Sequence, residues 1–373
     1  VRAWYGRLDD RGEAAAIAGG DDMTTTDGTR TVQAAEWRAA GDWHHAYFTG
    51  IVLAAVARLG TPVAAELVYR VFCRQREARF LPGLAKLGLD RLPHAVAAAQ
   101  YHYLSNDVGG VAVQYMPETE RKAWVRYVPP RWVWAGTALC GIPSEITVAM
   151  LRGWHAQNGT MLGNSRLGFV CTKMTTDGDA SLEGYYVEED RPLAPDERLR
   201  FARDEDGPDF DPSAVPVLAS STWPTERVAR ARRSYAMEYV RTVLPVTLGL
   251  LGEDAGGRFL HLAGRLVGMQ HHRDAAEALG VPATGSAKAF ARFLAAMARG
   301  QGDAVAVSVD DDGAMRVVQQ GPRLFEGVGA MRVAAIAAWG GLWEGALASH
   351  GHRMVLGVEV GDTSVAWTVR CRR

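Results

Sequence analysis

The segment Cys140-Gly141-Ile142-Pro143-Ser144-Glu145 places a thiol, a helix-starting proline and a carboxylate within six residues. Pro143 suits the first position of a helix, which puts Cys140 just ahead of a helix N-terminus. Backbone N–H groups there lower a thiol pKa and attract anions, so Cys140 is expected to act as nucleophile or anion binder. Glu145, in the first helical turn, suits the helix dipole and is a candidate acid or base. A thiol nucleophile needs a base, and no histidine stands beside it in sequence. The base would come from His44, His45 or His102. His44 and His45 follow Asp42 on a helical stretch, and neighbours on a helix point about 100° apart, so they serve different partners rather than one ion. His102 lies between Tyr101 and Tyr103 near the end of another helical stretch. A partly charged imidazole there caps the helix C-terminus, or orients a substrate and moves its proton.

Arg126 and Arg131, with Trp124, Trp132 and Trp134, surround Pro129-Pro130. An arginine beside aromatic faces can grip a carboxylate through two N–H···O bonds. The expected catalytic set is therefore Cys140, His102, His45 and Glu145. The expected substrate contacts are Arg131, Arg126, Tyr101, Trp132 and His44. Each competes with a plain structural role: a small buried cysteine, a satisfied core histidine, or an arginine paired to a turn. His271-His272 and His350-Gly351-His352 lack a spaced carboxylate, so no metal is expected. Gly109-Gly110 and Gly340-Gly341 form no phosphate-binding frame, and GxSxG is absent, so no cofactor is expected.

The elements that must carry these residues fall into two matching halves. The first half reads as a helix from Glu36 to Leu59-Gly60, one opening at Thr61-Pro62, and a third from Pro93 to Asp107. A hairpin follows (Val111–Met116, Ala123–Val128), then a helix from Pro143 to Asn158-Gly159, then a second hairpin (Arg166–Met174, Ser181–Glu188). The second half repeats this order with helices over Arg233–Leu251, Gly257–Gln270 and Ser286–Ala298. Strands Ala304–Val309 and Met315–Gln319 come next, then helix Gly329–Ser349 and strands Arg353–Glu359 and Thr363–Val369. A constant offset of 192 residues aligns Tyr47 with Tyr239, Leu59-Gly60 with Leu251-Gly252, Leu87-Gly88 with Leu279-Gly280, and Pro130-Arg131 with Pro322-Arg323. The expected fold is α+β, as two tandem repeats, each with helices on a four-stranded antiparallel sheet of two hairpins. The expected parts are a loose tail (1–30, with Met23 as an alternative start), a first repeat (31–188), an acidic, proline-rich linker (189–230) and a second repeat (231–373). The first repeat carries His44-His45 and Tyr101-His102-Tyr103 where the second has Ala236-Met237 and Phe293-Leu294-Ala295, so the first is the expected site-bearing copy.

Composition narrows the function classes. The 373 residues suit two domains at roughly 100–200 residues each. With 48% hydrophobic and 22% charged residues, the chain is a folded globular protein rather than a disordered one. Lys+Arg is 41 against 42 Asp+Glu, which leaves no basic footprint for nucleic acid or anionic membrane. No apolar run is long enough to span a bilayer. Four scattered cysteines, without CxxC and without a secretory signal, point to a reducing cytoplasm. Only Lys86, Lys122, Lys173 and Lys288 are lysine, a GC-rich, bacterial coding pattern.

Residues 85–190 resemble the 4-vinyl reductase-type domains and the L-2-amino-thiazoline-4-carboxylic acid hydrolase-like group. The resemblance rests on the strand Val125–Val128, on Leu139-Cys140-Gly141, and on Val170-Cys171-Thr172-Lys173 with Gly178-Asp179 ahead of Tyr185-Tyr186. Leu182-Glu183-Gly184 stands where the family's second cysteine would, so no metal or redox role carries over. The resemblance implies a pocket for a small organic ligand between helices and sheet, and hydrolysis of a C–N or C–S bond. Two function classes follow. One is a small-molecule hydrolase of a carboxylate metabolite, its site in the first repeat. The other is a non-catalytic small-ligand-binding or scaffold protein. The expected partner is a small molecule, and a homodimer is compatible with either class.

Overall fold

The structure is a computed structural model that describes residues 27–129 and 136–372. The sequence positions Arg131, Trp132 and Trp134, and residues 1–26 of the expected tail, lie outside the described residues, while residues 27–30 belong to a helix rather than to a loose tail. In chain order the helices are α1 (Asp27–Leu59), α2 (Thr61–Leu87), α3 (His94–Val108), α4 (Ser144–Gly153), α5 (Asn158–Met161), α6 (Thr225–Leu251), α7 (Glu253–Ala278), α8 (Ala287–Gln301) and α9 (Arg332–His350). The strands are β1 (Val113–Thr119), β2 (Lys122–Tyr127), β3 (Leu167–Lys173), β4 (Leu182–Glu188), β5 (Leu199–Phe201), β6 (Ala304–Val309), β7 (Met315–Gln320), β8 (Met354–Val360) and β9 (Ser364–Cys371). The class is α+β, as expected. No helix of the described residues is long and apolar enough to cross a membrane.

The described chain separates into two compact units, each built from non-contiguous stretches. Unit 1 holds residues 27–31, 75–129 and 154–223, and unit 2 holds residues 32–74, 136–153 and 224–372. The sequence boundary near residue 188 is therefore not the structural one. The reason lies on α1: Trp43 stacks on Trp343 of α9 with centroids 5.8 Å apart, and Tyr47 meets Trp339 edge-on at 4.8 Å. Burying those rings ties residues 32–59 to the helices of the second half.

Unit 1 is a five-stranded sheet in the order β1-β2-β4-β3-β5. Side chains alternate across a strand, so the two faces are read from the register. One face carries Met116, Trp124, Val170 and Tyr185, a buried cluster covered by Ala202 and Phe210. The other carries Val125, Tyr127, Phe169 and Tyr186, all buried, and α3 lies over it. The expected loose linker is a correction: residues 199–201 pair in parallel with 169–171, adding a fifth strand to the expected four. Ala202 and Phe210 then close the outer face, and the Ser220 backbone N–H donates to Asp107 at 3.1 Å. A segment rich in proline shows no hydrophobic period, so its packing was not legible from pattern.

Unit 2 carries a four-stranded antiparallel sheet in the order β6-β7-β9-β8. α8 begins at Ser286, whose hydroxyl accepts from Ala289 N–H at 3.3 Å, and ends at Gly302 with φ +91°. Beside the sheet, α7 and α9 cross backbone to backbone. A Cβ on Gly268 would lie 2.0 Å from the Leu342 carbonyl oxygen, and one on Gly345 would lie 2.0 Å from the Arg265 carbonyl oxygen. Only glycine permits that approach.

Candidate functional site

The inner face of the unit 1 sheet meets α3 at a closed ring of five polar side chains. β2 supplies Tyr127, β4 supplies Tyr186, α3 supplies His102, the turn after α4 supplies His155, and α5 supplies Asn158. All five are buried, with exposures of 4% or less. Tyr127 Oη lies 2.9 Å from His102 Nδ1 and 3.3 Å from His155 Nε2. Tyr186 Oη lies 2.7 Å from His155 Nδ1. Asn158 Nδ2 donates to Tyr186 Oη at 2.8 Å and meets His102 Nε2 at 3.2 Å, which closes the ring. The two imidazoles stack with centroids 4.2 Å apart.

Local sequence explains each position. Tyr127 and Tyr186 occupy inward positions of strands whose neighbours Arg126 and Tyr185 point outward. α4 stops at Gly153, and the single 3-10 turn His155–Gln157 then turns His155 and Asn158 to the same side. A Cβ at Gly159 would lie 2.4 Å from the Leu167 carbonyl oxygen, so this turn sits directly on β3.

Burial fixes the protonation of His102 and Tyr186. Desolvation lowers the His102 pKa to about 3, so this imidazole is neutral at pH 7, and the same desolvation raises Tyr186 well above its ordinary value. A neutral imidazole has one N–H and one lone pair; His102 turns them to the Tyr127 phenol and the Asn158 amide, and His155 lies between the two phenols. One atom of the ring is unsatisfied: Asn158 Oδ1 is buried and has no partner. Turning the amide over leaves Nδ2 in that place instead. In either orientation one polar end of Asn158 faces away from the ring without a protein partner.

The structure sorts the residues singled out from sequence. His102 belongs to the ring. It is not a charged helix cap, because it points inward from the middle of its last turns and is desolvated. Tyr101 is beside it, 5% exposed, with its ring at right angles to Phe80 at 5.0 Å and its hydroxyl 3.5 Å from the Arg79 carbonyl, so it is a packing residue. Arg126 lies on the opposite face of the sheet. Its guanidinium pairs with Glu183, donates to Gln114 Oε1 at 3.1 Å and reaches the Gly207 and Pro208 carbonyls at 3.3 and 3.2 Å. Its donors are committed to those partners, which corrects the expectation that it grips a substrate carboxylate. His44, His45, Cys140 and Glu145 belong to unit 2. Cys140 is an exposed free thiol in the 3-10 turn Gly136–Gly141, and Glu145 is exposed. His45 is half-buried, with its pKa lowered to about 4 by desolvation, and His44 is fully buried with its pKa lowered to about 3. Arg131 and Trp132 lie outside the described residues.

His155, Asn158, Tyr127 and Tyr186 were missed. The usable signal was a histidine and an asparagine three residues apart at a helix end, together with tyrosines at inward strand positions. In unit 2 the station of Tyr127 is taken by Gln319, which accepts from Trp367 Nε1 at 2.6 Å and donates to Asp303 Oδ2 at 2.7 Å and Gln301 Oε1 at 3.4 Å. Elsewhere in unit 2, beside Phe290, His272 and His350 meet Nε2 to Nδ1 at 3.2 Å. Among the described residues no group of three or more His, Cys, Asp or Glu side chains is arranged to hold a metal. No family model, characterised protein or solved structure matches this chain.

Proposed function

We propose that unit 1 carries the acid–base centre of a small-molecule hydrolase, and that the His102–Tyr127–His155–Tyr186–Asn158 ring is that centre. The observation that supports this reading is the ring itself: two stacked imidazoles, of which His102 is held neutral by burial, joined to two phenols and to an amide with one unpartnered polar atom. Most buried polar atoms in a core are paired, whereas this ring keeps one open valence at Asn158. All five residues fall inside residues 85–190, the stretch that resembles thiazoline-carboxylate hydrolases. The reaction class is then hydrolysis of a C–N or C–S bond in a small carboxylate. An imidazole accepts the proton of the attacking water as the new C–O bond forms, and returns it to nitrogen or sulfur as the old bond breaks. The outward end of Asn158 orients the water or the substrate polar group. Cys140 has no part in this scheme. We further propose that the two halves arose by duplication, since β1-β2-β4-β3 and β6-β7-β9-β8 pair in the same order.

The test is turnover of L-2-amino-thiazoline-4-carboxylate by the full chain, followed by loss of thiazoline absorbance. Wild-type turnover is expected, with His102→Gln slower by about 10²- to 10⁴-fold, the usual range for a general acid–base group, and Cys140→Ala unchanged. Absence of turnover on this probe and on related cyclic amides overturns the hydrolase reading. Turnover that survives His102→Gln removes the ring from the chemistry.

A further inference from the structure

The face of α1 opposite its exposed side holds Trp43, His44 and Tyr47 against Trp339 and Trp343 of α9. All five are buried to 98% or more. The rings are contiguous: Trp43 stacks on Trp343 at 5.8 Å, Trp343 meets Trp339 edge-on at 5.7 Å, Trp339 meets Tyr47 at 4.8 Å, and His44 tilts on Trp339 at 5.8 Å. Four buried polar atoms in this one cluster have no hydrogen-bond partner: Trp43 Nε1, His44 Nδ1, Tyr47 Oη and Trp343 Nε1. A folded core leaves only a few such atoms per hundred residues, so four in one cluster need an explanation.

Their chemistry is of one kind. Both indole nitrogens can only donate, and the Tyr47 hydroxyl has a proton to give. The state of His44 follows from a relay of side chains in the same unit. Trp367 N–H, a donor only, points at Gln319 Oε1 at 2.6 Å, so the Gln319 amide nitrogen is the end that faces Gln301 Oε1 at 3.4 Å. That leaves the Gln301 amide nitrogen facing His44 Nε2 at 3.4 Å. His44 Nε2 must therefore accept, and a neutral His44 carries its hydrogen on Nδ1. Burial keeps His44 neutral. All four unpartnered atoms are donors.

We infer that this aromatic cluster of unit 2 is a binding site for an uncharged, largely apolar small molecule bearing a carbonyl-type acceptor oxygen. The donors call for an acceptor. The enclosing rings carry no charge, and the buried Arg233 guanidinium, whose charge acts on His44, already donates to the Gln301 carbonyl, so a carboxylate entering the rings would lose its hydration for a cation engaged elsewhere, whereas a ketone or amide carbonyl loses far less. The Trp43 and Trp343 rings are already stacked, so the ligand approaches their N–H edges rather than sliding between them. This site is independent of the unit 1 ring and of the hydrolase reading.

The test uses three probes of one size, acetophenone, ethylbenzene and benzoate, read by quenching of intrinsic tryptophan fluorescence and by calorimetry on the full chain. Acetophenone is expected to bind at least tenfold more tightly than either of the others. Tyr47→Phe removes one unpartnered hydroxyl and keeps the ring, so without ligand its Tm is expected to equal or exceed that of the wild type, while acetophenone affinity falls at least tenfold. The inference is overturned by equal binding of acetophenone and ethylbenzene, by tightest binding of benzoate, or by no acetophenone binding at millimolar concentration. A Tm drop in ligand-free Tyr47→Phe together with absent acetophenone binding also overturns it, and assigns the donors to internal water. Trp343→Phe provides a second variant with the same expected loss of acetophenone affinity.

Discussion

Tyr127 of unit 1 and Gln319 of unit 2 hold the same station, the inward-facing residue near the end of the second strand, paired with Leu182 and Val365 respectively. Around Tyr127 the network consists of phenols, imidazoles and the Asn158 amide. The phenols and imidazoles can each give or receive a proton, and the amide sets the sense: with Nδ2 toward the ring His102 Nε2 accepts, and with the amide turned over it donates. Around Gln319 the network consists of amides, an indole and a carboxyl. The indole donates only, so every amide after it has one orientation, and the proton on His44 is fixed at the far end. The first network has two hydrogen arrangements, exchanged by a turn of the amide, and the second has one. Sheets whose first four strands pair in the same order thus carry different polar cores, and the difference arises from side chains at a handful of inward positions.

The comparison can be broken most severely at Gln319. Gln319→Leu leaves Trp367 Nε1, Asp303 Oδ2 and Gln301 Oε1 without partners inside a buried face. Urea unfolding should show a loss of about 3 kcal/mol or more, since each orphaned buried group costs about 1–3 kcal/mol. Tyr127→Phe, its counterpart, keeps the ring volume and leaves two imidazole nitrogens that can shift tautomer. Its expected loss is about 1–2 kcal/mol in the same measurement. A Tyr127→Phe cost equal to that of Gln319→Leu would mean that the unit 1 ring is as rigidly assigned as the unit 2 relay.

Acid should act through buried groups of both units, with Asp303 opposite in sign to the histidines. His102 has a folded pKa of about 3, below its ordinary 6.5. As pH falls below 6.5 the unfolded chain binds a proton that the folded chain does not, so unit 1 loses stability. Asp303 has a folded pKa of about 6, above its ordinary 3.8, because burial disfavours its charge. Between pH 6 and 3.8 the folded chain holds a proton that the unfolded chain has released, so Asp303 stabilises unit 2 as pH falls. Four unit 2 histidines oppose this: burial lowers His44 to about 3, His45 and His272 to about 4, and His350 below its ordinary value. The contribution of Asp303 is therefore read by difference: in Asp303→Asn, hydrogen-exchange protection of β7 and β9 should fall more steeply between pH 7 and pH 5 than in the wild type. An unchanged slope would contradict the assignment of Asp303 as neutral in acid.

The smallest expected effect lies at Cys140. The thiol is exposed, so Cys140→Ser should change stability by no more than about 0.5 kcal/mol. A thiol reagent should also label it in the folded protein at the rate of a small-molecule thiol. Labelling that is much faster would restore a reactive role for this residue.

The architecture was legible where pattern is local. The joints Leu59-Gly60 and Leu251-Gly252 were read from the matched offset, and both glycines take positive φ, +86° and +81°. The turn at Asp310–Gly313 and the paired strands appear within about three residues of their expected ends. The site was much less legible. Arg126 and Tyr127 are adjacent, as are Tyr185 and Tyr186, and in each pair one residue faces the ring and the other faces away. Nothing in the spacing of β2 alone sets which of its two faces is covered by α3. Cys140 drew attention because its chemistry is local, whereas the ring takes single residues from β2, β4, α3, α5 and a turn, which share no sequence window. The partition into units was hidden for a similar reason: Trp43 and Trp343 are 300 positions apart, and stacking between them has no periodic signature.

The glycine crossing of α7 and α9 has a mechanical consequence. Where two helices meet through side chains, small rotamer changes let one roll or slide past the other. Where Gly268 and Gly345 bring main chain against main chain, no such compliance is left, and the pair behaves as a welded joint. Trp343 sits on α9 between Gly341 and Gly345, so its azimuth is locked by that joint. The indole cannot swing its N–H toward solvent to escape burial, and whatever satisfies it must come to it.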